Sequence, residues 1–588
     1  MSSVAKGDFG AKLLAPGRTR FRLWAPDCEH VSVAIEGRGE SPMLRDPQGI
    51  FQVEANCGAG ARYRYRVAPD LAVPDPASRA QAGDVHDASI VVDHNHYQWH
   101  NVDWRGRPWH EAVIYELHAG TYGGFAGIAA DLPRLARLGF TAVELMPIAD
   151  FPGRRNWGYD GVLPYAPDAA YGTPDDLKAL IDTAHGLQLM VFLDVVYNHF
   201  GPDGNYLNAY ASDFFRHDVD TPWGGGIDFR QSQVRRFLIE NALYWLNDYR
   251  FDGLRFDAVH AIGDTGFLDE LAREVRTGVA PDRQVHLVLE NERNEAPLLD
   301  RDRRRFDAQW NDDWHHCLHV LLTGESEGYY RDFQNPAAQL ARCMKEGFAY
   351  QGEASAHQNG KPRGTPSRDL PTTAFVIALQ NHDQIGNRAM GERLSVLARP
   401  DALRAATLLL LLTPQIPLVF MGEEWAETRP FLFFTDHRDE LAEAVRQGRR
   451  KEFAHFAAFS DEKQRERIPD PNANSTFLAS VPARPADPSP MQKEIFALYQ
   501  HALRLRAEQI MPRLPGTTAI DAVPLANAGV RATWRMGDGA LLTLAANLGG
   551  NPVPCAAGEG ELLLTTVSCV IGGDRIPAFA ACAWLRRP

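Results

Sequence analysis

Apolar and polar residues alternate with a period of two in the first part of the chain. Phe21 and Leu23 form one alternating segment, and Tyr63, Tyr65 and Val67 form another. Such alternation is typical of strands with one buried face. The segments are separated by the turn-forming sequences APD, EGRGE and NCGAG. The pattern predicts a small immunoglobulin-like antiparallel β-sandwich over residues 1–93.

After Pro108 the alternation gives way to short, continuous apolar runs separated by helical patterns. The runs are AVIYEL, TAVELM, LMVFLDVV, GLRFDAV, HLVLE, TAFVIAL and IPLVFM. Runs without alternation are typical of parallel strands that are buried on both faces. Repeated strand and helix units favour a (β/α)8 TIM barrel over a doubly wound sheet, because neither GxGxxG nor GxxxxGK[ST] occurs. We therefore predict an α/β fold with a barrel, including insertions, over residues 94–517.

Two helices are predicted between these runs, and strands return near the end of the chain. Thr173 has the character of an N-cap, Pro174 takes the first helical position, and Gly186 ends the segment. A second helix begins at Ser232, before the FDG turn. From residue 518 the segments VRATWRM, ALLTLAANL, ELLLTTVS and FAACAWL predict a C-terminal β-sandwich over residues 518–588.

Composition and charge exclude several classes of protein. The 588 residues include 61 Lys and Arg against 75 Asp and Glu, a formal net charge of -14 that offers no basic footprint for nucleic acid. The N-terminal segment lacks the apolar core of a secretion signal, and no window approaches the roughly 18 apolar residues of a membrane span. The seven cysteines include no C-x-x-C pair. We expect a cytoplasmic protein that binds neither nucleic acid nor a membrane.

Polar side chains follow four of the apolar runs at the point where each predicted strand ends. Because catalytic groups of TIM barrels project from the carboxyl ends of the strands, these side chains should meet at one mouth. A single carboxylate at a strand end is more often a loop cap or a solvated ion pair. A group of carboxylates with histidines and an arginine at one mouth would reduce stability unless it served a function. The predicted group contains Asp194, Asn198, His199, Arg255, Asp257, His260, Glu290, Asn381, His382 and Asp383.

Glycoside hydrolysis is a reaction that needs such a set. A retaining glycosidase uses one carboxylate as nucleophile and a second as acid and then base, about 5–5.5 Å apart. Asp257 and Glu290, predicted on adjacent strands, meet this need. Arg255 precedes Asp257 by two residues, lies on the same strand face, and would keep Asp257 ionised. Asp383 adds a negative charge for an oxocarbenium-like transition state and helps to keep Glu290 protonated.

The segments DVVYNH, GLRFDAVH, VLENE and QNHDQ resemble, in order and spacing, the sequence regions of the α-amylase family, glycoside hydrolase family 13. The resemblance implies that Asp257 is the nucleophile, Glu290 the acid/base and Asp383 the transition-state stabiliser. It also implies a set of residues that hold the sugar at the cleavage subsite, with the tyrosine of WGYDG as the stacking aromatic: Tyr159, His199, Arg255 and His382.

Two further positions have more than one interpretation. His260, one helical turn beyond Asp257, is either a contact on the leaving-group side or a hydrogen-bonded residue at the strand end. Asn198 corresponds to a calcium ligand in many amylases, but the loops after the third run are short. We therefore predict no metal and no other cofactor.

The resemblance extends over most of the chain. The segment FRLWAPDCEHVSVAIEG resembles the N-terminal sandwich, similar to a carbohydrate-binding module, of branching and debranching members. NHDQIGNR, MGEEW, HAIGD, FLFFTDH and RRKEF are most similar to the trehalose-releasing hydrolases of the family. The resemblance implies cleavage of the α-1,4 bond that joins trehalose to a malto-oligosaccharide, with malto-oligosyltrehalose and related α-glucans as substrates. It also implies metabolic coupling to a malto-oligosyltrehalose synthase.

Other functions stay open at this point. A glucan branching enzyme would transfer the chain to a sugar, although branching members tend to read HDE where this chain has His382, Asp383 and Gln384. A general α-1,4-glucan hydrolase and a non-catalytic glycan-binding protein are the remaining alternatives. Three tryptophans are either platforms for sugar rings or core residues: Trp157, Trp310 and Trp314.

Overall fold

The predicted apolar runs form strands of one closed parallel barrel in the computed structural model of the protein. The structure describes residues 9–221, 224–300, 305–455, 457–459, 461–567 and 574–588. The barrel strands follow one another in chain order, and the last pairs with the first. They are β1 (Ile114–Leu117), β2 (Ala142–Leu145), β3 (Met190–Val195), β4 (Gly253–Phe256), β5 (His286–Leu289), β6 (Ala308–Trp310), β7 (Phe375–Ala378) and β8 (Ile416–Phe420).

The barrel confirms the predicted α/β fold class, with one strand that the apolar runs did not reveal. β6 has only three residues and is followed at once by the polar sequence NDD. A strand of this length carries too few apolar positions to form a recognisable run. Each of the seven predicted runs contains one of the remaining barrel strands.

Helices separate the barrel strands. The predicted helix after Thr173 spans Pro174–Gly186, and Thr173 and Asp176 form a reciprocal capping box at its start. The second predicted helix spans Ser232–Asn247. The described α-helices are Gly124–Leu138, Pro174–Gly186, Ser232–Asn247, Val259–Ile262, Thr265–Gly278, Asp312–Thr323, Pro336–Glu346, His382–Gly386, Leu394–Leu397, Pro400–Leu412, Asp439–Glu452, Glu462–Arg465, Asn474–Ala479 and Pro490–Leu505.

The interior of the barrel changes from apolar to polar along the strands. Ile114, Ala142 and Phe192 belong to one buried apolar cluster. Residues i and i+2 of a strand face the same side, so the residues two positions after these apolar ones also point into the barrel. A polar layer therefore lies beneath the mouth of the barrel, made of Glu116, Glu144, Asp194 and Arg255.

Antiparallel sheets precede and follow the barrel. The first N-terminal sheet contains Gly10–Ala15, Arg18–Trp24, Leu44–Arg45 and Ile50–Ala55, and the second contains Ser32–Ile35, Gly39–Pro42, Arg62–Ala68, Leu71–Val73 and Ser89–Ile90. Phe21 of the first sheet contacts Tyr63 of the second, with ring centres 4.8 Å apart. The two sheets therefore pack face to face.

The C-terminal sheet has five strands, with a separate two-stranded pair. The larger sheet contains Thr518–Leu525, Gly529–Arg535, Leu541–Asn547, Glu561–Thr565 and Ala580–Arg586, and the pair contains Val553–Pro554 and Arg575–Ile576. These sheets and the barrel agree with the predicted architecture. The domain limits at residues 93 and 517 stay a prediction, since strand positions alone do not define a domain boundary.

The described cysteines carry free thiols, and Cys569 lies outside the described residues. The first eight residues, which entered the expectation about a secretion signal, also lie outside them. Among the helices of the described ranges, none combines the length and the apolar character of a membrane-spanning segment.

Candidate active site

The carboxylates predicted from the strand endings meet at the carboxyl-terminal mouth of the barrel. Asp257 directly follows β4, Glu290 directly follows β5, and Asp383 lies in the short helix after β7. Asp194 is near the end of β3, the strand that pairs with β4. Parallel strands of a closed barrel end on one rim, so side chains far apart in sequence come together there.

The guanidinium of Arg255 joins three of these four carboxylates. Its Nη1 lies 2.7 Å from Asp194 and 2.8 Å from Asp257, and its Nη2 lies 3.0 Å from Glu290. The side chain is fully buried, and its guanidinium carbon lies 4.2 Å from the ring centre of Trp310. Burial alone would lower the pKa of Arg255, but the carboxylates, Asp194 foremost, raise it well above its ordinary value. The predicted contact between Arg255 and Asp257 is therefore present, and the arginine stays charged.

Glu290 and Asp257 lie in different electrostatic surroundings. Burial strongly raises the pKa of Glu290, Arg255 lowers it, and the nearby Asp257 and Asp383 raise it further, so that it lies well above its ordinary value. Asp257 instead accepts a hydrogen bond from the side-chain amide of Asn198 at 2.8 Å and forms the ion pair with Arg255. A carboxylic acid that holds its proton thus lies beside an ion-paired carboxylate, which is the pairing that acid and nucleophile roles require.

The backbone between β4 and the next helix is strained. Ala258 has φ +40° and ψ +49°, a left-handed conformation that is costly for a residue with a Cβ atom. In this conformation its N–H donates a hydrogen bond to Oε2 of Glu290 at 2.8 Å. The N–H of Val259 donates to the carbonyl oxygen of Glu290 at 3.0 Å. Strain of this kind is concentrated at functional sites, where surrounding contacts maintain it.

A second cluster adjoins these carboxylates and contains Tyr159, His199 and His382. The hydroxyl of Tyr159 donates to Asp194 at 2.6 Å and lies 2.8 Å from Nε2 of His382, and the two rings stack with centres 5.2 Å apart. Nε2 of His199 lies 2.9 Å from the carbonyl oxygen of Tyr159. Nε2 of His382 also lies 3.4 Å from Asp383. The structure therefore brings these predicted substrate-binding residues together with the carboxylates.

His260 lies at the edge of the group. Its Nδ1 accepts a long hydrogen bond from the backbone N–H of Glu292 at 3.4 Å, and its Nε2 is 3.7 Å from the carboxylate of the same residue. Burial lowers the pKa of His260, although Glu292 opposes this change. The ring lines the same cavity as Glu290. A contact of His260 with the leaving group stays a prediction.

A cavity of about 350 Å³ opens beside Glu290 and Asp383. Several polar and aromatic residues that line the cavity were not among the predicted site residues. They are Asp312, His316, Tyr329, His357, Gln358 and Arg363. Asp312 and His316 lie in the segment QWNDDWHH, in which only the two tryptophans were candidate site residues from the sequence. Since Asp312 directly follows Trp310 and Asn311 at the end of β6, recognition of that strand would have placed it at the mouth.

The three tryptophans are core residues. Trp314 is fully buried, and Trp310 lies beneath Arg255. Trp157 stacks on Phe431 with ring centres 5.3 Å apart and is also buried. The core interpretation of these residues is therefore confirmed. No group of three or more His, Cys, Asp or Glu side chains in the described ranges has the geometry to hold a metal ion.

Comparison with protein families identifies two segments of the chain. Residues 100–221 match the model of the alpha amylase catalytic domain, and residues 518–584 match a domain of unknown function, DUF3459. The first match covers the strands from β1 to β3, and the second covers most of the C-terminal sheet. A Salmonella typhimurium protein described as a candidate alpha amylase has a crystal structure with TM-score 0.93 and 43% identity, over 99% of this chain and all of that one.

Curated relatives are similar over most of their length. The malto-oligosyltrehalose trehalohydrolase of Deinococcus radiodurans is 43% identical over 500 residues, which cover 83% of this chain and 81% of the relative. The enzyme of the same name from Saccharolobus solfataricus is 41% identical over 76% of this chain and 80% of its own. A 1,4-alpha-glucan branching enzyme of Bordetella pertussis is 35% identical over only 41% of this chain. This chain therefore belongs to the malto-oligosyltrehalose trehalohydrolase family of alpha-amylase-type proteins.

Proposed function

We propose that this protein is a retaining glycosidase that cleaves the α-1,4 bond next to the trehalose end of malto-oligosyltrehalose and releases free trehalose. The observation that carries the proposal is the pair of carboxylates, Asp257 and Glu290, on the single guanidinium of Arg255. A common guanidinium keeps the two carboxyl groups close, as a retaining mechanism requires. The names of the similar proteins support the identity of the substrate.

In the first step, Glu290 donates its proton to the glycosidic oxygen while Asp257 attacks the anomeric carbon. The bond from that carbon to the leaving oxygen breaks, trehalose departs, and a covalent glycosyl ester forms on Asp257. The raised pKa of Glu290 supports the acid role at neutral pH. Asp383 stabilises the positive charge that develops on the sugar ring.

In the second step, the ionised Glu290 removes a proton from a water molecule while the oxygen of that water attacks the anomeric carbon. The ester bond to Asp257 breaks, and the malto-oligosaccharide leaves with its anomeric configuration retained. Glu290 thereby regains the proton that it gave to trehalose, and Asp257 returns to its free carboxylate form. Four residues hold the sugar at the cleavage subsite in this proposal: Tyr159, His199, Arg255 and His382.

The size of the cavity beside Glu290 supports the release of a short leaving group. Its volume of about 350 Å³ is at the lower end of the range for small-molecule sites, about 300–1,000 Å³. It adjoins the proposed acid and His260, and its lining does not include the proposed nucleophile. A site for a disaccharide on the acid's side is what release of trehalose requires. Metabolic coupling to a synthase that makes the substrate, a cytoplasmic location and the leaving-group role of His260 belong to the same proposal.

Product analysis tests the proposed function. Purified protein is incubated separately with maltopentaose and with the same oligosaccharide carrying a trehalose end, and an Asp257→Asn variant serves as the inactive control. We expect free trehalose from the second substrate and little attack on the first. Equal cleavage of both would indicate a general α-1,4-glucan hydrolase. Longer or branched products without a net gain in reducing ends would indicate a branching enzyme, which the partial match to such an enzyme does not favour.

A further inference from the structure

The imidazole of His382 has a buried carboxylate at Nδ1, the ring nitrogen that does not face Tyr159 and Asp383. Nδ1 of His382 lies 2.5 Å from Oε1 of Glu116, and the backbone N–H of His382 lies 3.3 Å from the other oxygen of Glu116. Both side chains are only 1% exposed. Glu116 comes from β1, whereas His382 follows β7, and these two strands flank β8 in the closed barrel. The glutamate therefore determines which way the ring faces.

The neighbouring strand carries a second glutamate in the same register, with a different environment. Glu144 of β2 is the direct partner of Glu116 in the strand pair. Both of its carboxylate oxygens are buried and have no hydrogen-bond partner among the described residues. Burial, followed by the charges of Glu116 and Asp194, raises the pKa of Glu144 well above its ordinary value. Burial therefore favours the neutral form of Glu144, whereas Glu116 has the imidazole of His382 as its partner.

We propose that Glu116 is a positioning residue that holds His382 as an imidazolium, with its Nε2–H directed to the cleavage subsite. Nδ1–H donates to Glu116, which leaves Nε2–H for Tyr159, Asp383 and a sugar hydroxyl. A charged donor hydrogen-bonds more strongly than a neutral imidazole and has a single proton arrangement. The inference rests on the proposed function, because it assigns His382 to the sugar at the scissile bond.

The charges around His382 favour the protonated ring. Burial by itself would lower the pKa of His382, but Asp383 and Glu116 outweigh it and raise the pKa well above its ordinary value. Loss of one neighbouring anion should lower the pKa by about 1–3 units. The groups that face the ring from the surrounding elements are Glu116, His118, Glu144, Tyr159, Asp194 and Asp383, with Arg255 beyond Trp310.

Three variants test this role: Glu116→Gln, Glu116→Asp and Glu144→Gln. The glutamine keeps a hydrogen-bond acceptor for Nδ1–H but removes the charge, whereas the aspartate keeps the charge. The protonation of the His382 imidazole is followed by NMR on protein with labelled histidines, and a His382→Gln variant identifies its signal. For Glu116→Gln we expect this imidazole to lose its proton at a pH lower by about 1–3 units than in the wild type. Glu116→Asp should keep the titration near its wild-type position, even if its kcat falls. Glu144→Gln is the matched control and should reproduce the wild-type titration.

The outcomes separate this inference from the proposed function. A His382 titration that does not move in Glu116→Gln would overturn the inference, as would an equal displacement in Glu144→Gln. Thermal unfolding of each variant checks that it is folded. If Glu116→Gln does not fold, a displaced titration in Glu116→Asp overturns the inference and an unmoved titration supports it. Wild-type protein that releases no trehalose refutes the proposed function alone, because the titration of His382 is measured without substrate.

Discussion

Asp312 offers a stability test of the cavity beside the catalytic carboxylates. The residue begins the helix Asp312–Thr323 and lines the cavity. Burial raises its pKa, Arg363 lowers it and Asp383 raises it again, with a result of about 7. Its hydrogen bond to the side-chain amide of Gln384 is long, at 3.5 Å. We predict that Asp312→Asn stabilises the protein at alkaline pH.

The magnitude follows from the two pKa values of the side chain. An unfolded aspartate has a pKa of about 3.9, so a folded value of about 7 corresponds to about 4 kcal/mol at full ionisation. The folded pKa is the higher one, so the wild type loses stability relative to the asparagine variant as pH rises from about 4 to about 7. Between pH 5 and pH 8, we expect the stability difference to grow by about 2–3 kcal/mol in favour of the variant.

Denaturant unfolding of wild type and variant at pH 5 and pH 8 measures this change. Asp313→Asn is a contrasting control, because buried Asp313 pairs with Arg363 at 2.7 Å and accepts hydrogen bonds from two backbone N–H groups, of Ala349 and Tyr350. Removal of one partner of a buried ion pair typically costs about 3–5 kcal/mol, so this variant should be destabilised at both pH values. A stability difference for Asp312→Asn that is the same at pH 5 and pH 8 would refute the reasoning.

Two further predictions concern the reaction and the loop that carries Tyr159. Asp257→Asn should reduce kcat on the order of 10³-fold or more while the variant still binds oligosaccharide in a calorimetric titration, and turnover near the wild-type rate would disprove the nucleophile role. Gly158→Ala should lower both Tm and kcat. The φ of Gly158 is +104°, so an alanine there would add backbone strain of about 1–3 kcal/mol. The added Cβ would also lie 2.0 Å from the carbonyl oxygen of Pro147, and relief of this clash would displace the adjacent Tyr159. An unchanged Tm and kcat would contradict this account.

Local sequence patterns were sufficient for much of the fold. Seven apolar runs predicted seven barrel strands, because a strand that is buried on both faces must be apolar along its length. The helix start at Thr173 was equally predictable, since its capping box uses only neighbouring residues. β6 was missed because its three residues, Ala308–Trp310, are too short for such a pattern.

The candidate site was predictable to the extent that its residues follow recognisable strands. Asp257, Glu290 and Asp383 stand at the ends of apolar runs, and barrel geometry requires those ends to share one rim. Asp312 was not predicted, because its strand was not recognised. Glu116 was not predicted either: it lies within an apolar run, and the sequence alone does not show which distant side chain it meets.

The sequence by itself determined the order of the elements, the fold class and the residues that close each strand. Only the tertiary structure decided how these residues interact, because contacts across a barrel join positions that are hundreds of residues apart. The ion pair of Glu116 with His382 spans 266 residues. The shift in the pKa of Glu290 depends on burial and on the summed charges of Arg255, Asp257 and Asp383, and no local pattern contains that sum.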